Sequence, residues 1–298
     1  MQAKPECRDC CLRQMENTLR LLNVEPAARE RAEARIADHV ARASLLQTPA
    51  ALSQPVYEVI AAMTGVADPY EQQKRENNRA ALAILPDIEA IVDGSSDPLD
   101  AALHAAVAGN VIDLGIGQAF DIEKDIVELM RRPFAIDALA DFRGEIGKGR
   151  RLLYLGDNAG EIVFDTLLVK QILTTGTLVT YVVKSGPIIN DATALDAEEV
   201  GMTRLAPVIE SGGSDIGINW DNVSGEFLAA WNAADIVLAK GHGNFETCDD
   251  RPGNLYFLLK AKCDTVAAEL GVTPGDIVFK HRGESGMWEG GQGDRRQG

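Results

Sequence analysis

Leu152-Leu153-Tyr154-Leu155-Gly156-Asp157-Asn158-Ala159-Gly160-Glu161-Ile162-Val163-Phe164-Asp165 is the stretch that decides the fold class. Its first four residues read as a short buried strand. A glycine-bounded turn follows, and residues 161–173 read as a helix. Strand, tight turn and helix in that order open a parallel-sheet unit. Toward the C terminus the alternation recurs. Residues 178–183 are rich in β-branched side chains and read as a second buried strand. Residues 191–200 read as a helix capped by Asp191, and residues 227–233 as another. Residues 205–209, 235–239, 255–259 and 276–279 are further strand candidates. The pattern predicts an α/β layer with a mainly parallel sheet.

Toward the N terminus the pattern changes at Gly147-Lys148-Gly149-Arg150. Residues 1–148 read as a helical N-terminal domain. Residues 25–46 carry Ile36, Val40 and Ala43 at helical spacing, and residues 55–63 read as a further helix. Residues 70–84 continue the pattern and stop at Pro86. Asp97-Pro98 is a helix start, with Asp97 as cap and Pro98 at the first helical position. That helix runs to about Gly109, and residues 121–130 form one more; no strand stands out in this half. Residues 149–282 form the α/β domain, in which the candidate metal- and phosphate-binding turns fall. The tail, residues 283–298, holds six glycines and one tryptophan and reads as disordered.

The chain has 298 residues, and 29 Lys and Arg against 45 Asp and Glu give a net charge of −16. That balance argues against a nucleic-acid or anionic-membrane partner, which needs clustered cations. It also means that an anionic substrate requires a metal ion or a local group of lysines to offset the background. There is no signal-peptide core and no membrane-length apolar run, so the expected location is cytoplasmic.

In an open parallel sheet, ligands bind beyond the carboxyl ends of the strands. Beyond the first strand, Asp157 offers a carboxylate and Asn158 an amide oxygen, the donors that hard cations such as Mg²⁺ take. The alternative is a glycine-rich turn with an ordinary helix cap. Beyond the second strand lies Lys184-Ser185-Gly186-Pro187-Ile188-Ile189-Asn190-Asp191. Asp191 is either a cap or a second anionic ligand for the same cation, and Lys184 and Ser185 could hold an anion. Beyond the third, in Lys240-Gly241-His242-Gly243-Asn244, Lys240 and Asn244 can donate to an anion and Gly241 permits close backbone approach. Lys262, after the run Tyr256-Phe257-Leu258-Leu259, is a further phosphate partner or a solvated charge. Asn110 and Asp113 interrupt an apolar stretch; they line the pocket from the helical half or cap a helix end. Together these turns suit a divalent cation plus a phosphate. No nucleotide-binding Gly-x-x-x-x-Gly-Lys-Ser/Thr loop, His-Glu-x-x-His cluster or Gly-x-Ser-x-Gly elbow is present.

The five cysteines are Cys7, Cys10, Cys11, Cys248 and Cys263, which is not a disulfide framework in a chain this long. Cys7-x-x-Cys10 supplies half a Zn²⁺ site, with Cys263 or Cys248 as remote candidates, or is a pair of reduced thiols.

The strings Cys7-Arg8-Asp9-Cys10, Gly109-Asn110-Val111-Ile112-Asp113, Leu155-Gly156-Asp157-Asn158-Ala159-Gly160-Glu161, Gly186-Pro187-Ile188-Ile189-Asn190-Asp191, Ala239-Lys240-Gly241-His242-Gly243-Asn244 and Lys260-Ala261-Lys262-Cys263 carry a family resemblance. The chain resembles the metal-dependent damage-control phosphatases, once filed as domain-of-unknown-function family 89. It is most similar to the prokaryotic branch with an N-terminal cysteine pair. The resemblance implies a helical part joined to a three-layer αβα core. It implies phosphatase activity with Mn²⁺, Co²⁺, Ni²⁺ or Mg²⁺ on small phosphometabolites such as sugar phosphates or phosphopantetheine-like compounds. The metal ligands would fall on Asp157, Asn158 and Asp191, and the phosphate contacts near Lys240 to Asn244 and on Lys262. The eukaryotic branch has Arg-Thr-x-Lys where this chain has Leu259-Lys260-Ala261-Lys262, so only the last lysine carries over.

The leading expectation is a phosphomonoester hydrolase. S-adenosylmethionine-dependent methylation of protein carboxylates is the second enzyme reading, opposed by the lack of a glycine-rich loop for that cofactor. A metabolite-binding or regulatory module without turnover is the third.

Overall fold

Three N-terminal helices, α1 (Pro5–Leu21), α2 (Pro26–Arg42) and α3 (Pro49–Thr64), each carry proline in the first turn. There the ring pre-sets φ and the missing N–H has no intrahelical partner to lose. Thr48 caps α3 by accepting from the Ala51 amide, and Gly65 ends it at φ 71. Their inner faces, with Leu19, Ile36, Val40, Leu52 and Ile60, form a hydrophobic cluster of their own. The computed structural model describes residues 1–22, 24–109 and 122–283. The tail expectation for residues 284–298 lies outside them.

Helix α4 (Glu71–Asp93) runs straight through Pro86, where the sequence predicts its end. A proline inside a helix costs about 3 kcal/mol. Burial of Ile88 and Val92 beyond it, in the main core, offsets that cost. Helix α5 (Pro98–Ala108) starts as Asp97-Pro98 predicts, with the Asp97 carboxylate accepting from the Asp100 amide at 3.2 Å. Helix α6 (Ile122–Met130) follows. A strand then appears where none was expected, β1 (Ile136–Asp137), and after it α7 (Leu139–Glu145). Two residues are too few to show a periodicity.

The remaining strands are β2 (Arg151–Leu155), β3 (Leu178–Val183), β4 (Val208–Glu210), β5 (Ile236–Lys240), β6 (Leu255–Lys260) and β7 (Ile277–Arg282). The sheet order is β1-β7-β6-β5-β2-β3-β4. Strands β4, β3, β2, β5 and β6 run parallel; β7 is antiparallel to β6, and β1 is parallel to β7. The intervening helices are α8 (Glu161–Thr174), α9 (Ala194–Glu199), α10 (Gly225–Ala233), α11 (Gly241–Cys248) and α12 (Asp264–Leu270). The fold is α/β with a mainly parallel sheet.

Alternation along β2 builds two cores, because successive side chains point to opposite faces. Leu152 and Tyr154 join α8 and the helices α4 to α7 on one face. Leu153 and Leu155 join Phe227 of α10, Phe245 of α11 and Val266 of α12 on the other. The core therefore runs across residue 148: helices from the first half form one outer layer of the sheet. Among the described residues no helix is long and apolar enough to cross a membrane.

Candidate active site

The chain builds outward from β2 to β3 and β4, then returns to add β5 on the other side of β2. Beyond the carboxyl ends of β2 and β5 lies the crevice where doubly wound sheets bind ligands. The turn after β2 carries Asp157 and Asn158, and the one after β5 opens directly into α11 at Gly241.

The β2–α8 turn is stitched to the β3–α9 loop. The Ala192 amide donates to the Asp157 carbonyl at 2.8 Å, and the Ala159 amide to the Asn190 carbonyl at 2.8 Å. Asn158 and Asp191 thus face each other as an isolated antiparallel pair. Asp191 is not the helix cap that the sequence suggests. Helix α9 starts three residues later, capped by Thr193, whose amide and hydroxyl both donate to Asp196 at 2.9 and 2.7 Å. In the same loop, two residues before Asp191, Ile189 holds φ 46, a left-handed conformation that a β-branched residue seldom adopts. Ile188 beside it is buried in the cluster of helices α1 to α3.

Acidic groups converge here. Burial, then the charges of Glu161 and Asp191, hold the Asp157 carboxyl well above the usual carboxylate range, with Lys262 and Lys240 pulling the other way. Burial pushes Asp191 up to about 6, opposed by Lys184, whose Nζ lies 3.6 Å from its carboxylate. Asn158 donates to Asp157 at 3.2 Å and to Glu161 at 2.8 Å. Gly241, at φ +82, lets α11 approach: a Cβ there would collide with the Asp157 carboxylate. Lys262 is exposed just past β6 and acts on Asp157. Its turn is fixed by His242, whose Nε2 lies 2.9 Å from the Lys260 carbonyl and 3.0 Å from the Lys262 amide. Burial, with the Lys262 charge, lowers His242 to about 4, so the imidazole is neutral at pH 7.

Lys240 differs from its expected role as a substrate contact. It is 1% exposed, and its ammonium donates to the Ala106 carbonyl at 2.7 Å, Glu161 at 3.1 Å and Asp165 at 2.7 Å. Asp165 also accepts from Tyr154 at 2.8 Å and Tyr181 at 2.6 Å. Burial would lower the Lys240 pKa, but Asp165 and Glu161 outweigh it and raise it. With all three protons engaged, Lys240 supports the carboxylates from beneath and presents nothing to a ligand. Asn244 likewise uses both N–H groups inside, on the carbonyls of Gly156 (3.0 Å) and Lys240 (2.8 Å). Among the described residues its buried Oδ1 has no hydrogen-bond partner. Ser185 accepts from the Gly212 amide at 2.8 Å and lines a cavity of about 590 Å³ with Lys74, Lys184 and Glu199. That cavity lies beside the Asp191 loop, and neither Asp157 nor Asn158 lines it. Asn110 lies outside the described residues.

Cys7 and Cys10 stand one turn apart on α1, and Cys7 Sγ is 3.9 Å from Thr265 on α12, the helix that Cys263 precedes. Burial pushes the Cys10 and Cys263 thiols up. Cys248 is buried, and its thiol rises to about 12. Among the described residues, no three His, Cys, Asp or Glu side chains form a metal-holding group.

From the sequence, Glu161 or Asp165 is expected to orient the metal's water shell; sequence reasoning passed over Asn78, the pairing of Lys240 with Glu161 and Asp165, and the two tyrosines. Asn77-Asn78 inside a helix was the available signal, since asparagine is a poor helix former that competes with the backbone for hydrogen bonds.

The family model for the damage-control phosphatase ARMT1-like domain matches residues 3–278. A damage-control phosphatase of Pyrococcus horikoshii is 31% identical over 282 residues, covering 93% of this chain and 97% of that protein. One of Archaeoglobus fulgidus is 37% identical over 233 residues, 76% of this chain and 78% of the relative. The crystal structure of a DUF89 family protein from Pyrococcus horikoshii superposes with a TM-score of 0.87, at 31% identity, covering 94% of this chain and 99% of that one. The chain therefore belongs to the damage-control phosphatase ARMT1-like domain family.

Proposed function

We propose that the protein is a divalent-metal-dependent phosphatase that hydrolyses small phosphorylated metabolites, sugar phosphates or phosphopantetheine-like compounds. The observation that carries the reading is the pairing of Asn158 with Asp191 beside Asp157, on which the charge of Lys262 acts. The names of the relatives support the reaction class.

The residues fit a hard cation. Asp157 and Asp191 bring two carboxylates and Asn158 an amide oxygen, the donor chemistry that Mg²⁺ and Mn²⁺ take. Asp157 is raised by burial and by its acidic neighbours, so a cation would relieve a repulsion that the fold imposes. Mn²⁺, Co²⁺, Ni²⁺ or Mg²⁺ held there would supply positive charge beside the phosphoryl oxygens and acidify a water. Lys262, exposed and acting on Asp157, supplies an ammonium to hold a phosphate oxygen. The first turn of α11 aims backbone N–H groups at the same region, which favours an anion. Glu161, gripped by Lys240 at 3.1 Å and Asn158 at 2.8 Å, is held still beside the reacting group and orients water.

The test is hydrolysis of p-nitrophenyl phosphate and a sugar-phosphate panel with Mn²⁺ or Co²⁺. Asp157→Ala and Asp191→Ala should each abolish turnover while circular dichroism shows a folded chain. Wild-type rates in both variants would defeat the assignment.

A further inference from the structure

We propose that Asn78 is a positioning residue that sets the spacing between the two ligand-bearing turns, and through it the affinity for the divalent cation. The inference rests on the metal-site reading above.

Asn78 lies on α4, in the helical half, and is fully buried. Its Oδ1 accepts from the Gly160 amide at 2.7 Å, at the end of the turn that carries Asp157 and Asn158. Its Nδ2 donates to Asp196 at 2.9 Å and to Glu199 at 3.1 Å, both on α9. Asp196 in turn accepts from the amide and hydroxyl of Thr193, two residues beyond Asp191. A continuous hydrogen-bonded path therefore runs from Gly160 through Asn78 and Asp196 to Thr193. It ties the two turns together in addition to the backbone bonds between Asp157 and Ala192 and between Ala159 and Asn190.

The chemistry at this point demands a primary amide. One acceptor must meet a backbone N–H while two donors meet two carboxylates. Aspartate would set a third carboxylate against Asp196 and Glu199, and an apolar side chain would make none of the bonds. Asn77, its neighbour, is equally buried and, among the described residues, has no hydrogen-bond partner on either amide atom. It provides an internal control: truncating it removes the same atoms from the same helix without removing a described hydrogen bond to either turn.

The experiment is calorimetric titration of the full-length protein with Mn²⁺, alongside p-nitrophenyl phosphate turnover as a function of Mn²⁺. Groups that orient metal ligands typically change metal affinity by roughly 10–100-fold when removed. Asn78→Ala should weaken Mn²⁺ binding by that order and raise the Mn²⁺ concentration for half-maximal rate in parallel, while kcat at saturating Mn²⁺ is retained. Asn77→Ala should leave the Mn²⁺ Kd at its wild-type value. Asp196→Asn, which replaces an acceptor with an N–H group, should weaken binding too. The double variant Asn78→Ala/Asp196→Asn should be no worse than the worse single one, because both cut one path. If Asn78→Ala does not fold, Asp196→Asn against Asn77→Ala carries the test. Wild-type Mn²⁺ affinity in Asn78→Ala, or an equal loss in Asn77→Ala, overturns the positioning role while leaving the metal site standing. Failure of the wild type itself to bind Mn²⁺ overturns both.

Discussion

Two lysines stand at or just past the ends of the neighbouring strands β5 and β6, and they do opposite work. Lys240 closes β5, is 1% exposed and has every ammonium proton on an internal acceptor. Lys262 follows β6, is exposed and lends its charge to Asp157. In sequence both are a lysine after an apolar run, and both read as phosphate partners. What separates them is the company each keeps. Asp165, Glu161 and two tyrosines surround the first, while an open turn braced by His242 carries the second. A cation at a strand end is thus a ligand contact only where no buried carboxylate has already claimed it.

The largest effect should come from Lys240→Met. It leaves Glu161 and Asp165 buried without their ammonium, and breaking a buried pair in this way costs about 3–5 kcal/mol. Urea unfolding reads it, and a variant as stable as the wild type would erase the distinction.

Glu246 shows what a buried carboxylate does where, among the described residues, no ion pair holds it. Burial pushes it up to about 7 from 4.5, only partly relieved by a backbone hydrogen bond from Ala50 and the charge of the N-terminal ammonium. Between those values the folded state binds the extra proton, so stability falls as pH rises from 4.5 through about 7. Above both, the penalty reaches about 3 kcal/mol. Glu246→Gln should therefore be more stable than the wild type at pH 8 and no more stable at pH 4, in denaturant titrations at each pH. Equal gains at both would remove the titration as the cause.

Tyr181→Phe removes one of the hydroxyls that hold Asp165 against Lys240, at 2.6 Å. A hydrogen bond to a charged group contributes about 2 kcal/mol, and the same denaturant assay should register that loss. A neutral result would place the strength of the network in the lysine alone. Lys262→Ala should move stability least, by under about 0.5 kcal/mol, as for an exposed side chain. Its kcat/KM on p-nitrophenyl phosphate should nonetheless fall roughly 100-fold, the order seen when one preorganised charge contact is lost. Unchanged turnover would put Lys262 in the solvent.

The contrast also marks how far the sequence could be read. The bounds of β3 and the Asp97-Pro98 start were legible because β-branching and capping are local properties. So was the Asp157 turn, set between two glycines. The end expected at Pro86 failed because tertiary burial of Ile88 and Val92 overrode a local breaker. Asp191 looked like a cap because it precedes a helix, but Thr193 and Asp196 satisfy that helix start between themselves. Lys240 and Asn78 were illegible for one reason: their partners lie 75 to 134 and 82 to 121 residues away along the chain, and no local pattern encodes them.

Ile189 bears on how this chain could be divided. A β-branched residue in the left-handed region is held there at a cost of about 1–3 kcal/mol. The anchor next to it, Ile188, is gripped by helices that begin at Pro5. A fragment trimmed of its first 65 residues would keep every strand and still let that segment slacken. The smallest portion worth transplanting into another scaffold therefore includes the leading helices.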